Sequence, residues 1–405
     1  MNAIPPDSLH AAAEALGDEI TALRRAIHAE PELGVQTPKT MAKVRAALSD
    51  LDLEWREGPS TSGAIAVLKG GAGEGRRVLL RGDMDALEMP EETGLEFAST
   101  IAGRMHACGH DAHTAMVVGA AKLLAAQSGA WSGEVHFMFQ PGEEGHFGAK
   151  KMIEDGLLDP KPDAAYAIHV IPNAPHGLIG ARAGAIMVAA DQLRIVVEGR
   201  GGHASMPHHG ADPVPVACEI VTAIQTMVTR RFDAGQAPVV TITQLSAGSA
   251  HNVIPDRCTI SGTMRTQTPD IRTALFAAVR QLADGIAGAH GLAADVVIEE
   301  GFPVTMNDAR AVALAEKVTA ERFGPGNWIT LERPLMGAED FSYVLQAVPG
   351  AMVFLGVSRE GDDWQHACGL HSTKMHLDES VMPKGAALLA GLAIAVLEDG
   401  LPPGA

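Results

Sequence analysis

The sequence predicts an α/β protein of two domains, with a ferredoxin-like β-α-β-β-α-β unit inserted into a larger domain of mixed sheet and flanking helices. Three observations lead there. A chain of 405 residues is long enough for two or three domains at roughly 150 residues each. In its first half, short apolar β-rich runs alternate with helical segments, the pattern of a sheet with helices packed over it. Between 187 and 300 the order of elements becomes that of a split β-α-β fold. The expected organisation is 1–186 as the first part of the larger domain, 187–300 as the insert, and 301–405 as the second part.

From Ser8 to Ser49 apolar residues recur at helical spacing, interrupted near Pro31 and Gly34. Two helices joined by the turn Pro31-Glu32-Leu33-Gly34 are expected. Strands follow at Val78 to Leu80, Glu134 to Phe139 and Ala164 to Val170, with a helix from Asp111 to Gln127 between the first two. In open sheets ligands bind beyond the carboxyl ends of the strands. Those ends carry Arg81 to Asp85, then Gln140 to Glu144, then His169. In the insert, a strand from Gln192 to Glu198 leads to a helix opening at Asp212-Pro213, where Asp suits the N-cap and Pro the first helical position. That helix runs to Arg230. Strands at Val239 to Leu245 and Cys258 to Thr266 come next, then a helix from Pro269 to Ile286 and a strand from Ala294 to Glu299. Gly70 to Gly75 reads as a flexible linker; it precedes its strand and opens no helix, so its glycines do not form a nucleotide-binding loop.

Composition removes several classes of function. Lys and Arg number 31 against 49 Asp and Glu, a formal charge of -18, opposite to what phosphate backbones select, so no nucleic-acid partner is expected. With 46% hydrophobic and 20% charged residues the chain is neither disordered nor low in complexity. The first ten residues hold two prolines and an Asp, and the first Lys or Arg is Arg24. No targeting segment is expected, and the location expected is cytoplasmic. The longest uncharged apolar stretch, Gly385 to Leu397, has 13 residues, where a membrane span needs about 20; it should be a buried helix. Cys108, Cys218, Cys258 and Cys368 are too few and too scattered for a disulfide scaffold.

Ten of the seventeen histidines lie between His106 and His209, in the stretch that also holds Cys108 and the Glu143-Glu144 pair. Imidazole, thiolate and carboxylate gathered together suggest a transition-metal site. Cys108 and His110 are two apart and, in an extended loop, project to one side. Alone, this pair fits a buried thiol and a helix-capping histidine better than a metal site. Two adjacent ionised glutamates at a strand end repel one another unless a cation or proton is shared, which lets one bind metal while its neighbour moves protons. Asp83, Asp85 and Asp111 sit beside these motifs and are candidates to accept hydrogen bonds from ligating histidines. His106, His113 and Glu339 are further candidates to line the site. His208, His209 and His366 are read as ordinary polar positions, and Cys218 and Cys258 as core.

The runs RGDMDAL (81–87), MHACGHDAHTA (105–115), FQPGEEG (139–145), GRGGHASMPH (199–208), NVIPD (252–256), MGAEDF (336–341) and LHS (370–372), in this order, resemble the dinuclear metal-dependent aminoacylases. That family includes hippurate hydrolases, hydrolases of indole-acetyl amino-acid conjugates and N-acetyl-diaminopimelate deacetylases. The resemblance implies a metallopeptidase-like catalytic domain, with the insert acting as a lid and dimerisation domain. It implies two divalent metal ions per subunit held by Cys108, His110, Glu144, His169 and His371, with the Cys108 thiolate bridging and Glu143 as general base toward a metal-bridging hydroxide. It further implies that His203 reaches a neighbouring subunit's site to polarise the scissile carbonyl, that Asn252 belongs to the same site, and that Arg265 pairs with the substrate's carboxylate. A guanidinium fork suits that last task at any pH. The mixed ligand set admits manganese, zinc, cobalt or nickel.

The activity implied is hydrolysis of the amide of small N-acyl amino acids by a homodimer or homotetramer, with no membrane partner. The same site would serve a dipeptidase or an N-acetyl-diaminopimelate-type deacetylase. A metal-binding regulatory oligomer is the non-enzymatic alternative, against which the intact Glu143 argues, since a binder needs ligands but no base. Two departures from the family pattern, Val35-Gln36 after the PELG turn and Glu88 in place of a proline, touch no implied ligand; Glu88, just past the site-facing strand, bears on substrate preference.

Overall fold

The computed structural model describes residues 6–403; residues 1–5, part of the stretch read as lacking a targeting segment, lie outside them. The chain divides into two compact units. One comprises Met1–Ile186, Met306–Arg333 and Asp340–Ala405, the other Met187–Thr305 and Pro334–Glu339.

A mixed eight-stranded sheet organises the larger unit. In spatial order its strands are Glu54–Glu57, Ala64–Lys69, Glu134–Gln140, Arg77–Asp83, Ala164–Ile171, Gly350–Gly356, Ile179–Ala181 and Trp328–Thr330. The third to sixth run parallel, so their carboxyl ends meet at one edge. They are buried along almost their whole length, which is why they read as unbroken apolar runs. Five strands of this sheet were not expected from the sequence. Ile179–Ala181 and Trp328–Thr330 are too short to show a period, Glu54–Glu57 is a charged edge, and Ala64–Lys69 and Gly350–Gly356 include Ala, Gly, Lys and Met, which carry little strand preference.

Helices Gly17–His28, His110–Ala125 and Met382–Asp399 pack against one another, and the last two also against the Arg77–Asp83 strand. The segment Glu379–Asp399 is long and apolar enough to cross a membrane, yet 83% of its apolar window is buried inside the protein, as expected of a core helix. Gly385 permits the close approach, since a Cβ there would lie 2.1 Å from Met116 Sδ. The two helices expected before the PELG turn and after it are three, Pro6–Ala15, Gly17–His28 and Pro38–Ala47. A turn at Leu16, closed by its N–H on Ala13 O at 3.0 Å, interrupts the first run just before the helix-weakening Gly17.

The smaller unit is an antiparallel sheet in the spatial order Val239–Ala247, Arg257–Thr266, Ala189–Glu198 and Ala293–Glu299, covered on one face by helices Pro213–Arg231 and Pro269–Ala289. In sequence this is β-α-β-β-α-β. Asp212 caps the first helix by accepting from Val214 N at 3.0 Å, and Thr268 caps the second by accepting from Ile271 N at 3.2 Å. The Arg257–Thr266 strand alternates between buried and more open positions, and its inward residues join Ile195, Ile220, Ile224, Leu275 and Val279 in the core. Cys258 belongs to that core, but Cys218 is exposed, contrary to the reading of both as core. The buried stripe of its helix runs through Val216, Ala217, Ile220 and Ile224, and position 218 falls outside it.

Candidate metal centre

The parallel strand ends and the start of helix His110–Ala125 converge in the larger unit. Cys108, His110 and His169 are buried with donor atoms within 4.8 Å of one another, and so are the donor atoms of Cys108, Glu144 and His371. Cys108 Sγ lies 3.5 Å from His169 Nε2, and Glu144 Oε1 lies 3.2 Å from His371 Nε2. Two ligand trios therefore share one thiol. Glu143 and Glu144 also come within reach of His110, with Glu143 Oε2 3.9 Å from His110 Nε2.

Hydrogen bonds set the imidazoles in a form ready to ligate. His110 Nδ1 donates to the main-chain oxygen of Asp85 at 2.8 Å, and His169 Nδ1 donates to that of Val170 at 2.8 Å. Each ring is thereby oriented with its Nε2 toward the other donors of the cluster. His110 Nε2 is buried and has no hydrogen-bond partner among the described residues, a costly condition that a cation would relieve. Burial pushes the Cys108 thiol up, and hydrogen bonds to Cys108 and Glu144 push His371 up to about 10. The cluster thus draws positive charge, and its nitrogen, sulfur and carboxylate donors fit divalent transition metals. His113 does not join them, for its Nε2 accepts from Val170 N at 2.9 Å and its Nδ1 donates to Asp83 Oδ1 at 2.7 Å.

Asp85 fixes the two glutamates. Its carboxylate accepts from Glu143 N at 2.9 Å through one oxygen and from Glu144 N at 3.0 Å through the other. Behind it, buried Arg81 donates to Gln140 Oε1 at 2.9 Å and Asp340 Oδ1 at 3.2 Å and pairs with Asp83. The three aspartates expected to receive hydrogen bonds from ligating histidines do not do so as closely as backbone carbonyls do. Asp83 bonds His113, the Asp85 side chain bonds backbone N–H groups, and Asp111 bonds Arg24 and His28. Carbonyls at strand ends already face the histidines, which leaves the carboxylates to the neighbouring donors.

Sequence alone gives no role to Arg24, His28, Arg81 or Glu91. A signal existed, since Arg24 and His28 lie four apart on the same face as Ile20 and Ile27, an unusual place for cations. His28 Nδ1 meets Asp111 Oδ2 at 2.8 Å and its Nε2 meets Glu91 Oε1 at 3.1 Å. Carboxylates only accept, so both nitrogens carry hydrogen and the ring is an imidazolium. Burial opposes that charge, but Asp111 and the hydrogen bonds to Asp111 and Glu91 outweigh it, and the pKa is raised above the usual 6.5. A raised folded pKa contributes stability that is complete below the unfolded value and fades as pH rises through the folded one. His28→Gln should therefore lower Tm most in mildly acidic buffer, with the gap to the wild type narrowing in alkaline buffer. Thermal denaturation of both proteins across pH checks this.

Gly109 is the hinge between Cys108 and His110. Its φ is +83°, and a Cβ there would lie 2.3 Å from Val170 Cγ2. Gly109→Ala should cost about 1–3 kcal/mol from the backbone alone and deplete bound metal, as read by Tm and elemental analysis.

The remaining expected residues are placed as follows. His203 and Asn252 are exposed in the smaller unit and brought together on one ribbon, where Gly202–His203 pairs with Val253–Ile254 and Ala204 N donates to Asn252 O at 3.1 Å. His203 Nδ1 accepts from Ser205 N at 3.1 Å, so its Nε2 carries the proton and can donate. Arg265 lies on the separate four-stranded sheet. Glu339 is buried, in the stretch grouped with the smaller unit. His106 is buried, neither ring nitrogen has a hydrogen-bond partner among the described residues, and burial pushes its pKa down to about 3. His208, His209 and His366 are exposed.

Residues 79–395 match the model of Peptidase family M20/M25/M40. The chain is 37% identical over 386 residues to the IAA-amino acid hydrolase ILR1-like 2 of Arabidopsis thaliana, covering 94% of this chain and 86% of that protein. It is 36% identical over 377 residues to the N-acetylcysteine deacetylase of Bacillus subtilis, covering 93% of this chain and 96% of the other. Among solved structures, the YXEP protein of Bacillus subtilis, titled a dinuclear metal binding peptidase from the M20 family, is similar with a TM-score of 0.83 and 33% identity over 95% of this chain and 99% of that one. The chain belongs to Peptidase family M20/M25/M40.

Proposed function

We propose that the protein is a dinuclear metal-dependent amidohydrolase that cleaves N-acyl amino acids to a carboxylic acid and a free amino acid. The observation that carries this is the pair of ligand trios sharing Cys108 beside Glu143. Cys108, His110 and His169 would hold one ion, and Cys108, Glu144 and His371 the other. When bound, the ions supply the positive charge that acidifies water and polarises the carbonyl. Glu143 takes the proton of the attacking water and returns it to the amide nitrogen as the C–N bond breaks. Its position for this depends on Asp85, which pins the main chain at both glutamates.

The insert contributes from a second subunit. His203, with its proton on Nε2, donates to the carbonyl oxygen as negative charge develops there; Asn252 stands beside it, and Arg265 takes the substrate's carboxylate. The edge strand Val239–Ala247, with Val239 44% and Leu245 43% exposed, supports assembly through this unit, since long uncovered edges invite pairing. The names of the two enzyme relatives support the substrate class.

The test is amino-acid release from N-acetyl, N-benzoyl and indole-acetyl amino acids, from dipeptides, and from the same N-acyl compounds with the carboxylate amidated. Metal-dependent turnover of N-acyl amino acids, lost on amidation, is the expected result. Failure of protein holding two metals to turn over any N-acyl amino acid would overturn the reading.

A further inference from the structure

The helix Gly17–His28 turns two cations onto its buried face. Arg24 is 2% and His28 0% exposed, and both meet the same oxygen, Asp111 Oδ2, from Nε at 2.7 Å and from Nδ1 at 2.8 Å. Arg24 Nη1 continues to Glu379 at 2.9 Å, and His28 Nε2 to Glu91 at 3.1 Å. One carboxylate thus joins the N-terminal helix, the first turn of His110–Ala125 and, through its two partners, the segments that carry Glu91 and Glu379.

A buried charge cluster is generally no more stabilising than apolar side chains of equal volume, and Ile20, Ile27 and Phe97 beside this one would accept such side chains. What apolar packing lacks is direction. Asp111 follows His110 directly, in the first turn of a helix whose N-cap, Gly109, offers no side-chain cap. The His110 ring is otherwise held at Nδ1 by the carbonyl of Asp85. We infer that Arg24 and His28, acting through Asp111, are positioning residues that fix His110 relative to Cys108 and His169 and so set the affinity of one metal position. The inference rests on the dinuclear reading above.

The test uses wild type, Asp111→Asn, His28→Gln and Ile27→Ala, each stripped and reloaded with cobalt. Ile27 is fully buried on the same helix, so its truncation destabilises without touching Asp111. Asp111→Asn and His28→Gln are expected to weaken one of the two metal positions by about 10- to 100-fold and to change the cobalt absorption spectrum. Ile27→Ala is expected to lose Tm while keeping both affinities and the spectrum. Wild-type affinities and spectrum in Asp111→Asn and His28→Gln would overturn the inference, as would an equal metal loss in Ile27→Ala. Should Asp111→Asn not fold, His28→Gln decides. A wild type that binds fewer than two ions would instead defeat the dinuclear reading.

Discussion

Cys108→Ala should empty both metal positions and leave no measurable hydrolysis. The thiol belongs to both ligand trios, so its loss leaves each with two donors, His110 and His169 on one side and Glu144 and His371 on the other. The loss of affinity should exceed the roughly 10- to 100-fold that removal of a supporting outer residue costs. His169→Ala and His371→Ala form the contrast, since each touches one trio and should leave one ion bound. Elemental analysis after gel filtration distinguishes the cases. One ion retained at wild-type affinity in Cys108→Ala would mean that the thiol is not shared.

Glu143→Gln should keep both metals and lower turnover by about 100- to 10,000-fold, the range that a positioned general base contributes. The amide fills the same volume, and the Glu143 main chain stays tied to Asp85 Oδ1, so Tm should change little. Glu144→Gln differs by one residue and should instead lose metal, because the Glu144 carboxylate is one of the three donors grouped with Cys108 and His371. Steady-state kinetics with metal analysis on both variants separates the base from the ligand. Equal loss of turnover and metal in both would merge the two roles.

Much of the fold could be read from the chain alone because its signals are local. Asp212-Pro213 announces a capped helix, and the alternation in Arg257–Thr266 announces a strand half covered by helices. The central parallel strands were visible as apolar runs, whereas Ile179–Ala181 and Trp328–Thr330 owe their state to neighbours distant in sequence. At the site, Cys108, His110, Glu143, Glu144, His169 and His371 stood out by residue type and motif. The Arg24–His28–Asp111 cluster did not, because its partners are 83 and 87 residues apart and only the fold brings them together. At His110 the nearer acceptor to Nδ1 is the main-chain oxygen of Asp85 at 2.8 Å, with the Asp85 carboxylate at 3.6 Å. Whether a histidine donates to a carboxylate or to a carbonyl depends on strand ends whose placement no motif encodes.

The proposed chemistry is metal-dependent amide hydrolysis with Cys108 common to both donor trios. Its most direct test is the rate of amino-acid release from an N-acyl amino acid as stripped protein is titrated with manganese, zinc, cobalt or nickel. The expected result is no release from the stripped protein, a rate that rises until two equivalents are bound, and no such rise in Cys108→Ala. Full turnover by the stripped protein, or an undiminished titration in Cys108→Ala, would contradict it.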